Sequence, residues 1–411
     1  MTAFVPEFAP VAAPQRVAAL DALRGLALLG ILLSNVSGFA GPLLELHDGI
    51  DPALRGADRA WATFVYVAIN DKAWSLFALL FGMGFATMLA RAQAAARGFV
   101  AVYLRRSLGL LAIGLIHAWL IWAGDILVTY ALCAFALLAL RRLSAQAWLA
   151  LGAALYAAGI GLMLLIAAAL TMPGVAVGGP QELAAARAER AAEIAAYAHG
   201  DYAAATAQRL EFFFDAVVSG WTLMLPLTLG LFLIGAGLAR SGVLVDPQRQ
   251  RERLRPMLAW GLTLGAALTA ASVALTATPS TAVFTASSML AQTLHLAAGL
   301  PLALAAIAAV VSWLRAGARW PLRFAAAGRM ALSHYLTQSL VATWLMYGHG
   351  LGQWGRWPYG TLILAALALF AAQMAFSAWW LRRFRFGPVE WLWRAFTYAR
   401  WPPLRVARAA G

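Results

Sequence analysis

Runs of about 17–25 apolar residues, the length that crosses ~30 Å of hydrocarbon, recur along almost the whole of this 411-residue chain. They fall near 22–42, 72–90, 106–122, 125–140, 146–171, 217–239, 256–277, 285–313, 328–348 and 359–381, about ten in all. Hydrocarbon offers the backbone no hydrogen-bond partner, so each continuous apolar run must satisfy its own amides and carbonyls as a helix. The expected fold is all-α: a polytopic integral membrane protein with about ten transmembrane helices. Composition agrees, with 63% hydrophobic and 12% charged residues, against about 45–50% and about 25% in ordinary soluble domains. The first run shows no A-x-A cleavage pattern and leads into further runs, which reads as a retained helix and not a signal peptide.

A net charge of +14 would suit a nucleic-acid binder, but the arginines are distributed otherwise. With the N-terminus inside, one side of the membrane receives Arg16, Arg24, Arg91 to Arg106, Arg141, Arg142, Arg240 to Arg255, Arg315 to Arg329 and the C-terminal cluster, 24 of the 31 Lys and Arg residues. Cytoplasmic loops carry such an excess. The basic charge therefore sets orientation: both termini are expected in the cytoplasm, with membrane lipids as contacts and no nucleic-acid partner. The pattern sets no oligomeric state.

Four regions follow: an N-terminal membrane bundle over 1–171, an outer helical segment over 172–216, a C-terminal bundle over 217–381, and a cytoplasmic or interfacial segment over 382–411. The outer segment, with Glu182, Arg187, Glu189, Arg190 and Glu193 in an Ala-rich pattern, reads as a solvated helix that lies on the bilayer or caps the bundle. Gly41 to Arg59 reads as an outer loop holding Glu45, His47, Asp48, Asp51 and Asp58. The single cysteine, Cys133, lies inside an apolar span and has no intrachain disulfide partner.

Ionisable groups at membrane depth are costly and mark sites or pathways. Under this topology Asn35, His117 and His349 lie in the outer parts of spans one, three and nine, and Asp71, Lys72 and His295 in those of spans two and eight. Asp125 joins them at the outer turn after span three. One shared outer cavity is the expectation. On an unbroken helix His117 and Asp125 would stand ~80° and ~12 Å apart; a turn at Ala123-Gly124 folds Asp125 back, or each pairs with another helix. His117 is then a general base or acid with Asp125 orienting it, or a buried histidine satisfied by a carbonyl beside an aspartate that caps the next helix. Lys72, the only lysine, suits a point-charge contact or proton transfer, or snorkels next to an N-capping Asp71. Asn35 is an interhelical hydrogen-bonding group or a binder of a carbonyl oxygen, and His47 a solvated loop residue or a base. Asp71, Lys72, His295 and His349 are the candidates for binding substrate.

On the arginine-rich side, Asp21 and Arg24 open span one. Arg24 sits one turn inside the helix, where it snorkels or clamps an anion. Arg329, Glu390 and Arg394 complete such a clamp, unless the Trp-rich Gly387-Pro-Val-Glu-Trp-Leu-Trp-Arg piece is only an interfacial helix. No Walker A, G-x-S-x-G or H-E-x-x-H pattern occurs. The six histidines lack metal-site spacing, so neither a bound metal nor a tightly bound cofactor is expected.

Five runs resemble one family: Leu20-Asp-Ala-Leu-Arg-Gly-Leu-Ala-Leu-Leu-Gly-Ile-Leu-Leu-Ser-Asn, Leu76-Phe-Ala-Leu-Leu-Phe-Gly-Met-Gly, His117 through Gly124-Asp-Ile-Leu-Val-Thr-Tyr, Gly328-Arg-Met-Ala-Leu-Ser-His-Tyr-Leu-Thr-Gln-Ser, and Gly387-Pro-Val-Glu-Trp-Leu-Trp-Arg. They look like the YeiB family of bacterial inner-membrane proteins, defined by a domain of unknown function, and the resemblance implies an inner-membrane location. Span one also resembles the broader transmembrane acyltransferases, including the heparan-glucosaminide N-acetyltransferase group, where the helix ends in an Asn and a His of the following outer loop serves with it. By that resemblance Asn35 and His47 match. Two functions stay open beside a third reading, a structural or biogenesis scaffold without chemistry. In the first, an acyltransferase passes an acyl group from a cytoplasmic acyl-CoA-type donor, held by Arg24 and Arg329, to a lipid or glycan acceptor at the outer face, with His117 or His47 as base. In the second, a transporter or flippase uses the same polar groups as a route.

Overall fold

The chain is described by a computed structural model over residues 18–43, 49–96, 98–173, 179–243, 246–275 and 285–406. Each of the ten apolar runs is a helix. Eight helical stretches are long and apolar enough to cross a membrane: α1 (Ala18–Ala40), α2 (Gly56–Ala68) with α3 (Lys72–Ala94) as one stretch, α4 (Val100–Leu120), α6 (Ala145–Ala169), α9 (Ser219–Arg240), α10 (Pro247–Leu275), α11 (Ala286–Arg315) and α14 (Tyr359–Trp380). The other two are shorter, α5 (Leu127–Ala139) and α13 (Ala331–Met346). At 1.5 Å per residue, α5 is only ~20 Å long, so non-helical chain beside it lies at membrane depth. That is tolerated only where protein covers the backbone, and Trp122 and Ala123, between α4 and α5, are fully buried.

Two regions depart from the sequence reading. Gly41 to Arg59 is not loop throughout, because α2 begins at Gly56; its apolar stretch is too short to register as a span and merges with α3 across a break. Asp58 is thus helical and accepts the Gly360 amide at 2.7 Å. The outer segment is not one helix. It forms α7 (Pro180–Ile194), a π-turn at Ala195–His199, and α8 (Tyr202–Phe212), split where Asp201 caps α8 by accepting the Ala204 amide at 2.8 Å. The segment caps the bundle: the Tyr202 hydroxyl donates to the Leu120 carbonyl (2.8 Å) and the Gly348 amide to the Tyr197 carbonyl (2.7 Å).

Lipid tails are as apolar as leucine, so these helices are held by close packing over small residues and not by hydrophobic exclusion. α1 runs through the centre and touches α3, α13, α14 and the short α12 (Ala325–Gly328). A Cβ on Gly82 of α3 would fall on the Phe232 carbonyl of α9, and one on Gly235 of α9 on the Leu79 carbonyl of α3. The pair is therefore in backbone contact. α15 (Pro388–Tyr398) is amphipathic and lies across the arginine-rich end, with Leu392 and Phe396 turned outward. Its Trp393 indole donates to the Arg106 carbonyl (2.8 Å), and Arg105 donates to the Thr397 carbonyl (2.9 Å).

Gly82→Ala should force α3 from α9 and lower stability by about 2 kcal/mol. Gly161→Ala in α6, with open space at its Cβ, should be neutral or slightly stabilising. Thermal unfolding followed by tryptophan fluorescence in detergent separates the two.

Candidate functional site

The run from His117 to Asp125 folds as it does because α4 stops one residue past Trp119. The Ile121 and Trp122 amides both turn back to the His117 carbonyl, at 3.0 and 2.8 Å. Trp122 then anchors the turn, donating to the Gly38 carbonyl (3.3 Å) and packing on Phe39 at 4.3 Å. The Trp122 ring lies so close over Gly124 that a Cβ there would collide with it. Asp125 is thereby folded back: its Oδ2 lies 2.7 Å from His117 Nδ1. Asp125 Oδ1 accepts the Val128 amide at 2.8 Å, so this one side chain both caps α5 and holds the imidazole. With both carboxylate oxygens accepting, the imidazole keeps its proton on Nδ1, which donates to Asp125, and the Nε2 lone pair is left free. Nε2 is buried without a hydrogen-bond partner. A histidine fixed in this tautomer by a carboxylate is the arrangement of a general base.

A cavity of about 290 Å³ approaches this pair from the arginine-rich end. Arg24, Arg91, Arg106, Arg329 and Arg394 line its mouth, with Asp21 and Glu390 among them. α1 and α12 meet there without side chains between them, since a Cβ on Gly25 would strike the Phe324 carbonyl and one on Gly328 the Asp21 carbonyl. Close approach sets Arg24 and Arg329 on one rim. Asp21 holds Arg24 at 2.8 Å, and the Arg106 guanidinium stacks 3.8 Å over the Trp393 ring. Leu28, Ile31, Phe77, Leu80 and Phe81 form an apolar throat, and Tyr130, Tyr335, Ile126 and Leu127 its inner part. Tyr335 packs on the His117 ring at 4.9 Å. Along α4, Arg106 and His117 are ~16 Å apart.

Glu390 differs from its neighbours at the mouth. Its Oε1 accepts the Leu332 and Ser333 amides (2.7 and 3.0 Å), and its Oε2 the Ser333 hydroxyl. It thus serves the open N-terminal amides of α13 from another helix. Burial pushes its carboxyl above the ordinary range, against the pull of those hydrogen bonds. Burial also lowers Arg394.

The outer polar residues do not share one cavity, contrary to the expectation from depth alone. Depth fixes the level of a side chain and leaves its azimuth open, and the helices point these groups to different places. Lys72 does not snorkel: it is buried, and its Nζ lies 2.7 Å from His295 Nε2 and 3.3 Å from the Tyr66 carbonyl it donates to. The Tyr66 ring stacks on His295 at 4.0 Å, and the Tyr66 hydroxyl meets Ser272 at 3.0 Å. Asp71 stands at the N-cap position of α3 but makes no side-chain cap hydrogen bond. It has a left-handed backbone, φ 63°, and its carboxylate lies 3.9 Å from His295 Nε2. Asn35 is half-buried on α1, and the nearby interhelical hydrogen bond is made by Ser34, donating to Asn70 at 2.9 Å. His349 lies beyond the end of α13, in the turn against Tyr347 and Tyr202, where burial and the Arg209 charge hold its imidazole below the usual value. His47, with Glu45 and Asp48, lies outside the described residues. Sequence reasoning missed Arg91, Arg106, Tyr130 and Tyr335. The signal available was Arg106, placed like Arg24 about one turn inside an apolar helix.

Residues 238–400 match the family model described as "Protein of unknown function (DUF418)". The chain is 33% identical over 416 residues to the uncharacterized protein YxaH of Bacillus subtilis (strain 168), covering 96% of this chain and 97% of the relative. It is 31% identical over 403 residues to the uncharacterized protein YeiB of Escherichia coli (strain K12), covering 93% and 96%. A 39.9 kDa protein encoded in the amylase 3' region of Bacillus acidopullulyticus is 28% identical over 98% of this chain and 99% of its own length. On end-to-end identity of this level, together with the motifs and helices above, the chain belongs to the YeiB family of DUF418 membrane proteins.

Proposed function

We propose that this protein is a membrane acyltransferase in which an acyl thioester donor occupies the arginine-mouthed cavity and is attacked at the His117–Asp125 pair. The observation that carries the reading is the continuity of one cavity, cationic at its mouth, apolar along its length, and bounded inside by Tyr335 against His117. Such a lining suits an amphipathic donor whose phosphates meet guanidinium forks while its pantetheine arm and acyl chain run inward. The arginine bias supports a mouth on the cytoplasmic side, where acyl-CoA resides. The acceptor, a hydroxyl or amine of a lipid or glycan, enters from the opposite face.

In this chemistry His117 Nε2 takes the acceptor's proton as its oxygen or nitrogen attacks the thioester carbonyl. The carbon–sulfur bond then breaks, the leaving thiolate takes the proton back from the imidazolium, and Asp125 holds the ring throughout. Asn35 is the candidate to bind the carbonyl oxygen during this step. The Lys72–His295 contact favours a second reading, a transporter or flippase, because an ionisable pair buried in a span is what a proton-coupled carrier uses. Vesicle uptake driven by protons and lost in Asp71→Asn, from protein that binds no acyl-CoA, would replace the enzyme by the carrier.

Titration calorimetry of purified protein with acetyl-CoA and palmitoyl-CoA should show saturable binding of at least one donor, weakened about tenfold in Arg24→Ala and in Arg329→Ala. No binding by the wild-type protein would defeat the reading. His117→Ala and Asp125→Asn should keep donor affinity within about twofold and slow release of the free CoA thiol on the order of 10²-fold or more. Thiol release unchanged in both variants would remove the pair from the chemistry.

A further inference from the structure

The cap at the end opposite the arginine-mouthed cavity buries a cation that makes no ion pair among the described residues. Arg209, on α8, is fully buried. Its Nε donates to the Trp119 carbonyl at 2.9 Å and its Nη2 to the Thr206 hydroxyl at 2.6 Å, and the guanidinium faces the Tyr202 ring at 5.2 Å. All three partners are neutral. Among the described residues no carboxylate forms an ion pair with Arg209, and its Nη1 has no hydrogen-bond partner. The Glu193 carboxylate of the same cap accepts the Leu43 amide at 2.7 Å. Buried charges are ordinarily paired, since the desolvation of an unpaired ion is not returned by neutral contacts.

Further unsatisfied groups surround this cation. The Tyr197 and Tyr347 rings, both fully buried, stack at 4.6 Å, and neither hydroxyl has a hydrogen-bond partner. His349 stands edge-on to Tyr347 at 5.6 Å and to Tyr202 at 5.3 Å, with Nδ1 unpartnered. Tyr197, Tyr347 and His349 all lie near enough to feel the Arg209 charge, and the two tyrosines feel the Glu193 carboxylate as well. Two unpartnered hydroxyls and an unpartnered guanidinium nitrogen among these aromatics have the donor chemistry that the oxygens of a small anion accept. We infer that this cluster binds a small oxyanion, a carboxylate or a phosphate, with Arg209 Nη1 and the Tyr197 and Tyr347 hydroxyls as donors. Entry is from the aqueous face of the cap, where Tyr202 is 48% exposed. The site stands whether or not the cavity on the other side carries out acyl transfer.

The test uses full-length purified protein. Delipidated protein in non-ionic detergent is titrated with inorganic phosphate and with acetate against chloride at constant ionic strength, and the thermal midpoint is read. A parallel set compares nanodiscs of phosphatidylglycerol with nanodiscs of phosphatidylcholine. A saturable rise with free phosphate or acetate identifies a soluble anion, and a rise confined to phosphatidylglycerol identifies a lipid headgroup; both support the site. Tyr197→Phe with Tyr347→Phe keeps both rings and should weaken the response about tenfold or more. Arg209→Met should abolish it, and where that variant fails to fold the double Phe variant decides. Equal midpoints in every condition, a chloride response as large as the oxyanion response, or an unchanged response in the double Phe variant would overturn the inference.

Discussion

Backbone that leaves the helix inside a membrane has to be covered and hydrogen-bonded by protein, and that constraint arranges this molecule. Three of the polar clusters stand at breaks in helices, while a fourth, Gln338 with Gln373 at 2.9 Å, joins α13 to α14 within the two helices. The α4–α5 turn brings Asp125 back to His117, and Asp125 accepts from an α5 amide and from the imidazole at once. The α2–α3 break puts Asp71 in a left-handed conformation and sends Lys72 inward to His295. The α12–α13 break leaves amides that Glu390 takes up from α15. A continuous helix would need none of the side chains at the three breaks, so the breaks account for their retention at membrane depth.

Much of this was legible in the sequence. Continuous apolar runs dictated helices, and all ten were found, because the backbone in lipid has no other way to satisfy itself. The pairing of His117 with Asp125 rested on whether Ala123-Gly124 would turn, and Gly124, pressed under the Trp122 ring, is the residue that permits it. The rim formed by Arg24, Arg329 and Arg394 was also accessible, since arginines placed at the ends of apolar helices converge when those ends meet. Azimuth was not legible. Lys72 and His295 read as level with His117, yet they face another part of the bundle, and only helix rotation and tilt decide this. Glu390 looked like part of an anion clamp and proved to be a cap for a helix far away in sequence, a role that local patterns do not encode. Arg209 passed unnoticed because an arginine on an Ala-rich surface helix ordinarily points to water.

Charge is spread unevenly between the two ends. Five arginines ring the cavity mouth, while at the other end Arg209 is held by neutral groups alone. Between them lie apolar residues and a histidine whose second nitrogen has no partner. On the proposed reading, an anionic, amphipathic compound binds from one face with its apolar part toward His117. Small residues at the helix contacts, Gly25 and Gly328 at the mouth above all, hold that path in place.

The most direct measurement is an experimental structure of the protein with a non-hydrolysable thioether analogue of an acyl-CoA. Phosphate density against Arg24, Arg329 and Arg394, with the thioether sulfur reaching Tyr335 and His117, is the expected result. Analogue density anywhere else on the protein, or a cavity filled only by lipid at saturating analogue, would contradict it.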